Sequence, residues 1–349
     1  MNIAGVPPAA AIEECNPLDF DLATAVARGK PLVVRGLVRD WPIVKLALQS
    51  DTAFAQRLAE LDNGADVTTL LIAPDAEGVI GYSSDLGDFN YQHFKVPITL
   101  GLQRLAGYSQ RADAPGLVVQ SVPIRECLPG LLADHKLPFL DARVEPRLWM
   151  GNRTVTPTHF DSQQNIACVV CGTRRFTLFP PEQLPNLYVG PLDWAPTGAA
   201  ISMARLDRPD DPRYPRLKLA LAVAQAADLD EGDAIYIPPL WWHHVESLEQ
   251  LNALVNYWWN PVDVPGYASG HARAALYHCL LAFRALPADQ RAAWRNLLDY
   301  YVFGDNDPAA HIPEQRRGVL GPLTAETVEQ LKQGARQNLQ SGLSANERE

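Results

Sequence analysis

Short apolar segments dominate the chain between residues 117 and 260, and glycine, proline and acidic residues separate each from the next. Clear examples are 117–121, 147–151, 164–171, 174–179, 233–237 and 253–259. Segments this short are typical of strands, because helices in globular cores run for roughly ten residues or more. Their number and spacing predict a β-sandwich or a small barrel for this part of the chain.

The regions on either side carry helical patterns. Apolar residues recur at helical spacing in 43–62, 97–108, 272–286, 287–302 and 324–339. Short strands are predicted at 66–72 and 77–82. We therefore expect three parts, which are an N-terminal α/β elaboration over 1–116, a β core over 117–260 and a C-terminal helical region over 261–349.

Size and charge narrow the range of functions. A chain of 349 residues, 47% of them hydrophobic, can bury a large core in one or two domains. No stretch approaches the roughly 18 consecutive apolar residues of a membrane-spanning helix, and the first residues carry no secretory leader, so we expect a cytoplasmic protein. The net charge of −10 and the lack of a basic stripe argue against nucleic acid as a partner.

The five cysteines are scattered and odd in number, which argues for reduced thiols. Cys168 and Cys171 form a single CxxC inside a strand-like apolar run. A redox or zinc motif is one interpretation, and a pair of buried core cysteines is the other. We favour core cysteines, because the run is apolar and no second CxxC completes a zinc site.

Two segments offer the side chains of a metal site. They are TPTHFDSQQN at 156–165 and YIPPLWWHHV at 236–245. In a strand, side chains alternate between faces, so His159 and Asp161 are expected to project to the same side. One further imidazole, from His243 or His244, completes the two-histidine, one-carboxylate set that leaves half of an octahedral Fe(II) open.

The ligand spacing alone is weak evidence. With eight histidines and 40 acidic residues, a histidine followed two positions later by a carboxylate is expected roughly once by chance. The segment ahead of the histidine pair is more specific, because LDEGDAIYIPP at 229–239 reads as a glycine turn, a short apolar strand and a proline-marked exit. This order of turn, strand, prolines, aromatic pair and histidine is far rarer than the ligand spacing.

Five segments together resemble the cupin-like JmjC group of Fe(II)- and 2-oxoglutarate-dependent oxygenases (the cupin_8 group), which is similar to factor-inhibiting HIF. They are PLVVRGLVRDWP at 31–42, TPTHFDSQQN at 156–165, GTRRFTLFPP at 172–181, PPLWWHHVES at 238–247 and VNYW at 255–258. The first resembles that group's entry strand, the next two its central hairpin and the last two its closing strands. The resemblance spans about residues 30–260.

The resemblance implies a mainly β fold, a double-stranded β-helix or jelly-roll of the cupin/JmjC type, with N-terminal and C-terminal additions. It implies His159, Asp161 and His243 as the catalytic ligands of Fe(II), because similar sequences use the first histidine after the tryptophan pair. His244 then becomes a packed or supporting imidazole. The implied cosubstrates are 2-oxoglutarate and O2.

The resemblance also implies how 2-oxoglutarate is held. Thr156 matches the family's hydroxyl position, and Arg174 stands where the family usually has a lysine. An arginine can pair with a carboxylate through two hydrogen bonds, although the two cations are not interchangeable. Asn165 and Asn256 match positions that hold the cosubstrate or order the pocket, and buried asparagines that satisfy backbone groups are the equal alternative.

The substrate side of the pocket is predicted from fewer residues. An aromatic hydroxyl of the family is replaced by an aliphatic residue near Val118–Val119, and Gln120 is expected to line the substrate side. Trp258 is expected to wall the pocket, with core packing as the alternative. Loops 77–94 and 185–216 carry the aromatic residues expected to contact substrate, which are Tyr82, Tyr91, Tyr188, Trp194 and Tyr214.

The implied activity is hydroxylation of an unactivated C–H bond of a protein or peptide side chain or a small molecule, with succinate and carbon dioxide as co-products. A non-oxidative metal cupin, such as an isomerase or lyase, would share the ligands but not need a carboxylate clamp. A non-catalytic binding module is the third hypothesis, against which the intact ligand set argues. The resemblance further implies a homodimer through the C-terminal helices, and packing of those helices on the barrel is the alternative.

Overall fold

The computed structural model describes residues 7–111 and 113–344. Residues 1–6 lie outside that range, so the expectation of no secretory leader stays a prediction. The chain divides into two compact units, Met1–Trp259 and Asn260–Glu349, and the division expected at residue 116 lies inside the first unit. Among the helices described, none combines the length and the apolar character needed to cross a bilayer.

The first unit contains all the described strands. They are β1 (Ala10–Ala11), β2 (Glu14–Cys15), β3 (Leu32–Val34), β4 (Val67–Ile72), β5 (Tyr91–Val96), β6 (Gly116–Pro123), β7 (Pro146–Gly151), β8 (Val155–His159), β9 (Gln164–Cys171), β10 (Arg174–Phe179), β11 (Gln225–Leu229), β12 (Ala234–Ile237), β13 (Trp242–Ser247) and β14 (Asn252–Trp259). Its α-helices are α1 (Leu22–Arg28), α2 (Pro42–Ala47), α3 (Asp51–Leu61), α4 (Ile98–Tyr108), α5 (Ile124–Cys127) and α6 (Leu217–Leu221).

Within the described residues, the strands form two sheets. One has the order β1-β11-β10-β13-β8, and the other has the order β2-β3-β12-β9-β14-β7-β6-β4-β5. Both sheets contribute to a buried interior cluster of Ile12, Val33, Ala167, Val169, Phe176, Leu178, Leu229, Ile235, Ile237, Trp241, Val245 and Leu254. Two sheets packed around such an interior form a jelly-roll. The predicted mainly β fold, a double-stranded β-helix with an N-terminal α/β elaboration and C-terminal helices, is confirmed.

The central strand β9 of the nine-stranded sheet is buried on both faces. In β9, Val169 belongs to the interior cluster, whereas Cys168 packs with the N-terminal helices on the opposite face. Phe54 and Leu58 of α3 are fully buried against that outer face, and burial of each stabilises the fold by about 1.5–3 kcal/mol. A strand covered on both faces reads as an unbroken apolar run, which is why 164–171 could be predicted.

The CxxC lies wholly in the core. Cys168 and Cys171 are both 0% exposed, and burial raises the pKa of each thiol above its usual range. Neither forms a disulfide. The interpretation of the pair as core cysteines is confirmed.

Two predicted elements differ from the structure. The single helix expected over 43–62 is two helices, because the Ser50 hydroxyl accepts a 3.1 Å hydrogen bond from the Ala53 N–H and starts α3 anew. The strand expected at 77–82 is wrong, since Val79 and Tyr82 form only isolated bridges. The polar loop that follows bends the chain away from any ladder.

The second unit is helical where it is described. It contains α7 (Gly270–Phe283), α8 (Ala288–Leu298) and α9 (Ala325–Ser344). A π-helical turn over Asp299–Phe303 extends α8. All three helices predicted in this region are therefore present, with ends within a few residues of those expected.

Candidate metal centre and pocket

Three metal-ligating side chains meet at one end of the barrel. Ligand atoms of His159, Asp161 and His243 all lie within 4.8 Å of one another. The centroids of the two imidazole rings are 4.1 Å apart, and Nε2 of His243 is 3.7 Å from Oδ2 of Asp161. Two ring nitrogens and a carboxylate oxygen at this spacing could hold one metal ion.

Strand pairing and a tight turn position the three ligands. His159 ends β8 and lies directly opposite His243 of β13. Asp161 therefore lies beyond the strand, and the alternation expected to align it with His159 does not reach that far. Its backbone carbonyl accepts a 2.8 Å hydrogen bond from the N–H of Leu240, which has a left-handed φ of 65°. The turn before β13 thus holds backbone strain beside the ligands.

Backbone carbonyls orient both imidazoles. Nδ1 of His159 is 2.8 Å from the carbonyl oxygen of Pro157, and Nδ1 of His243 is 3.1 Å from that of Trp241. A carbonyl only accepts, so each Nδ1 carries the hydrogen and each Nε2 keeps a free lone pair. Burial, together with the neighbouring His159, lowers the pKa of His243 to about 4. The ring is therefore neutral near pH 7, as metal ligation requires.

The adjacent His244 points away from this group. It is 6% exposed, close to the 4% of His243, but its Nε2 lies 3.3 Å from a carboxylate oxygen of Glu246. His244 and Glu246 lie two residues apart on β13 and share a face, whereas His243 lies on the other. Of the two neighbours, the structure places His243 with His159 and Asp161.

Arg174 is a buried cation without a partner in the part of the chain that the structure describes. It is 7% exposed, its Nε meets no acceptor, and no described carboxylate pairs with it. Burial lowers the pKa of its guanidinium to about 10. Arg174 shares a strand face with Phe176 and Leu178 of the interior cluster, and Leu178 lies opposite His243. Arg174 lies four positions before Leu178 on β10, so along the strand it is roughly 13 Å from the point opposite His243, at 3.3 Å per residue.

A bulge brings Thr156 to the same face as His159. His159 pairs with His243 and Thr156 pairs with Val245. Between these two pairs, two residues of β8 therefore lie opposite one residue of β13. Regular alternation would turn residues three apart to opposite faces, and the extra residue of the bulge cancels that turn. Since Val245 belongs to the interior cluster, Thr156 faces the interior as well.

The two candidate asparagines differ in their partners. Asn165 is buried, and its side-chain oxygen has no hydrogen-bond partner among the described residues. The side-chain oxygen of Asn256 accepts a 2.9 Å hydrogen bond from the indole N–H of Trp149. Asn256 therefore orients the indole of Trp149, while the side-chain oxygen of Asn165 could still accept a hydrogen bond from a ligand.

The two predicted substrate loops meet through aromatic rings. The Tyr82 hydroxyl donates a 2.8 Å hydrogen bond to the Trp194 carbonyl. Phe89 stacks on Trp194 and on Tyr91 at centroid distances of 5.0 and 5.4 Å. Tyr188 and Tyr214 are not part of this group, because they pack on each other 5.1 Å apart near Leu217 in a separate cluster.

The remaining wall residues lie along the nine-stranded sheet. Gln120 is half-buried in β6 beside a bulge, and Trp258 lies near the end of β14, edge-on to Trp149 at 5.9 Å. Sequence reasoning missed Trp149 and its strand neighbour Arg147. The alternation of large polar or aromatic residues with Leu148 and Met150 in β7 was the signal that could have found them.

The fold and the site first define a class, a cupin whose grouped histidine and aspartate side chains could hold a metal ion. The model of the cupin-like domain family matches residues 17–264, and the chain belongs to this family. The resemblance to JmjC-type cupin-like oxygenases is thereby confirmed. These matches support a family of 2-oxoglutarate-dependent oxygenases.

Three relatives illustrate the similarity of this chain to JmjC proteins. Lysine-specific demethylase JMJ31 of Arabidopsis thaliana is 36% identical over 124 residues, which are 35% of this chain and 22% of that protein. Jumonji C domain-containing protein 5 of Drosophila melanogaster is 34% identical over 117 residues, 33% of this chain and 28% of that protein. JmjC domain-containing protein D of Dictyostelium discoideum is 25% identical over 253 residues, 64% of this chain and 50% of that protein. The chain thus spans half or less of the length of these relatives.

Proposed function

We propose that the protein is an Fe(II)- and 2-oxoglutarate-dependent dioxygenase that hydroxylates an unactivated C–H bond. One observation carries the proposal: the unpaired cation of Arg174 lies deep in the barrel beneath the ligand group. A buried charge without a partner is costly, so its presence is explained by an anionic ligand that enters the barrel. A non-oxidative cupin would not need a 2-oxoglutarate clamp at this position.

The donor set fits a ferrous ion. His159, Asp161 and His243 would occupy one face of an octahedron and leave three positions open. Bound Fe(II) supplies the redox chemistry by which 2-oxoglutarate, O2 and substrate R–H become succinate, carbon dioxide and R–OH. The backbone carbonyls of Pro157 and Trp241 keep both imidazoles in the ligating tautomer.

The cosubstrate would lie between this group and Arg174. The guanidinium can bind the distal carboxylate through two parallel hydrogen bonds, and the Thr156 hydroxyl adds a donor from the same face. The unpartnered oxygen of Asn165 lies near the same end of the barrel as the metal ligands. The interior cluster excludes water from the cosubstrate, which strengthens each of these polar contacts.

Hydroxylation rather than demethylation is the reaction that we propose. The substrate class is a protein or peptide side chain or a small molecule, and the aromatic rings of Tyr82, Phe89, Tyr91 and Trp194 form the surface beside the pocket that would contact it. Product mass spectrometry separates the two reactions. Hydroxylation adds one oxygen atom to the substrate, whereas demethylation removes a methyl group and releases formaldehyde.

The test is anaerobic addition of Fe(II) and then 2-oxoglutarate, followed by visible spectroscopy. A metal-to-ligand charge-transfer band should appear and should be lost in His159→Ala, Asp161→Ala and His243→Ala. His244→Ala is the matched control, because it removes an adjacent and equally buried imidazole that faces the other way. Bound iron without the band would refute the clamp and place the non-oxidative cupin first.

Exposed apolar surface and free cysteines bear on the assembly and the compartment that we propose. Leu281, Val302 and Phe303 are 76%, 63% and 73% exposed in the second unit, and such apolar surface supports a homodimer through the C-terminal helices. Sedimentation at rising concentration tests this, with Leu281→Glu and Phe303→Glu expected to give monomers. All five cysteines are free, which supports the cytoplasm as the compartment.

A further inference from the structure

A second arginine faces the barrel interior, and the proposed chemistry does not use it. Arg147 lies in β7, where Leu148 and Met150 are buried against the N-terminal helices. Alternation therefore turns Arg147 and Trp149 to the other face, and Trp149 packs against the interior cluster there. Arg147 lies opposite Asn256 of β14.

Arg147 has hydrogen-bond donors to spare. Its Nη1 donates to the backbone carbonyl of Ser121 at 3.0 Å and to the Ser121 hydroxyl at 3.3 Å. Across residues 7–111 and 113–344, no carboxylate pairs with it. Ser121 itself has a left-handed φ of 48° at the bulge of β6. A strained backbone thus holds the acceptor that orients Arg147 and leaves Nε and Nη2 free.

Trp258 offers a further donor on the same face. It lies two residues beyond Asn256 in β14, so both side chains face the interior. The Trp258 indole N–H is buried and has no acceptor in the described protein, whereas the Trp149 N–H is already bound to Asn256. Buried donors without acceptors are rare in native proteins, so this one calls for a ligand that brings an acceptor.

The strand pairing shows where these donors lie relative to His159, Asp161 and His243. Trp258 lies opposite Asn165 of β9, and Asn165 lies opposite Ile237, the last residue of β12 before the turn to His243. Arg147 and Trp258 therefore lie on the sheet that faces the metal ligands, toward the same end of the barrel. This is the side from which a substrate would reach the reactive centre.

We propose that Arg147 and Trp258 bind a carboxylate of the substrate. This inference rests on the proposed function and adds the chemical class of the substrate. The free edge of the guanidinium matches a carboxylate bidentately, and the indole N–H adds a third hydrogen bond. The indoles of Trp149 and Trp258 would pack on the apolar part of the same group. Because the whole protein carries a net charge of −10, an acidic substrate needs a local cation of this kind. The carboxylate belongs either to an acidic side chain of a peptide or to a small free acid.

The experiment measures which molecules the protein retains when it is loaded anaerobically with Fe(II) and 2-oxoglutarate, so that no turnover occurs. The probes are short peptide libraries with a central glutamate or, in the matched set, glutamine. Aromatic and aliphatic monocarboxylic acids are offered beside their amides. Ultrafiltration and mass spectrometry report the enrichment of each acid over its amide.

We expect at least tenfold enrichment of one acid set by the native protein and its loss in Arg147→Gln. Arg147→Lys should keep part of the preference, because it keeps the charge without the planar fork. Arg153→Gln is the matched control, since Arg153 is exposed in the turn after β7. Enrichment of glutamate peptides identifies a peptide substrate, and enrichment of free acids identifies a small molecule.

Equal retention of acids and amides, or a preference that survives in Arg147→Gln, would overturn the inference. The charge-transfer band of the same samples separates this from failure of the proposed function. A normal band in the native protein and in Arg147→Gln without any acid preference removes only the substrate assignment. A missing band in the native protein removes the oxygenase, and the acid preference is then judged on the metal-loaded protein alone.

Discussion

Replacing Arg174 with methionine should stabilise the ligand-free protein and abolish its binding of 2-oxoglutarate. Burial lowers the pKa of the Arg174 guanidinium from 12.5 to about 10. At 1.36 kcal/mol for each pKa unit, holding this charge in the folded protein costs about 3 kcal/mol. The side chain is protonated in both the folded and the unfolded chain at pH 7, so the whole cost is present there. Methionine is flexible and uncharged but shorter than arginine, and we expect a gain of roughly 1–3 kcal/mol after the packing lost to its smaller size.

The assay is urea unfolding of metal-free protein at pH 7, with and without the substitution, followed by anaerobic titration of the Fe(II) protein with 2-oxoglutarate. Arg175→Met is the matched control. Arg175 alternates to the outer surface, where it pairs with Asp228 at 2.7 Å. Losing that exposed pair should cost no more than about 1 kcal/mol and leave 2-oxoglutarate binding intact.

The two readouts together can refute the reasoning. A destabilised Arg174→Met protein that still binds 2-oxoglutarate normally would show that the arginine supports the fold and not the ligand. Gain of stability with loss of binding is the signature of a charge kept for a ligand, because a structural residue would not show both.

Three further predictions concern parts of the fold away from the pocket. The buried Nε2 of His135 accepts a hydrogen bond from the N–H of Ile43, and burial lowers the pKa of the ring below 6.5. The unfolded chain therefore binds the proton first, so the free energy of unfolding should fall as the pH drops below about 6.5, and His135→Gln should flatten that fall in urea titrations at several pH values. The Cys168 thiol is buried and its pKa is raised, so in the native protein it should react with an alkylating reagent more slowly than the half-buried Cys15. Peptide mass spectrometry would measure both rates, and equal rates would contradict the burial argument. Gly172→Ala should lower the free energy of unfolding by about 2–4 kcal/mol, because φ there is +69° and a methyl group would lie 2.4 Å from a backbone oxygen. An unchanged free energy of unfolding would mean that the hairpin shifts freely.

The strands of the barrel could be predicted because burial leaves a direct trace in the sequence. The continuous run at 164–171 reflects a strand covered on both faces, and 174–179 matches β10 at both ends. The break between α2 and α3 also has a signal in the sequence, because Ser50 is a good N-cap, although the longer helical pattern runs across it.

The pocket could be predicted only in part, because its remaining features depend on pairing between distant segments. The face to which Arg147 points is set by the place of β7 beside β14, which no local pattern reveals. Alternation predicts that Asp161 aligns with His159, yet Asp161 lies in a turn where its backbone carbonyl accepts a hydrogen bond from the Leu240 N–H. The site residues carried over from the family remain proposals that the spectroscopic test addresses.

On the proposed function, the bulge in β8 lets a single codon separate the metal ligand His159 from the cosubstrate contact of Thr156. Deleting Thr158, the residue before His159, would restore plain alternation and turn Thr156 outward, while His159 stayed paired with His243. On the proposed function, such a chain would keep its metal ligands and lose the Thr156 contact to 2-oxoglutarate, the electron donor of the reaction, in one step.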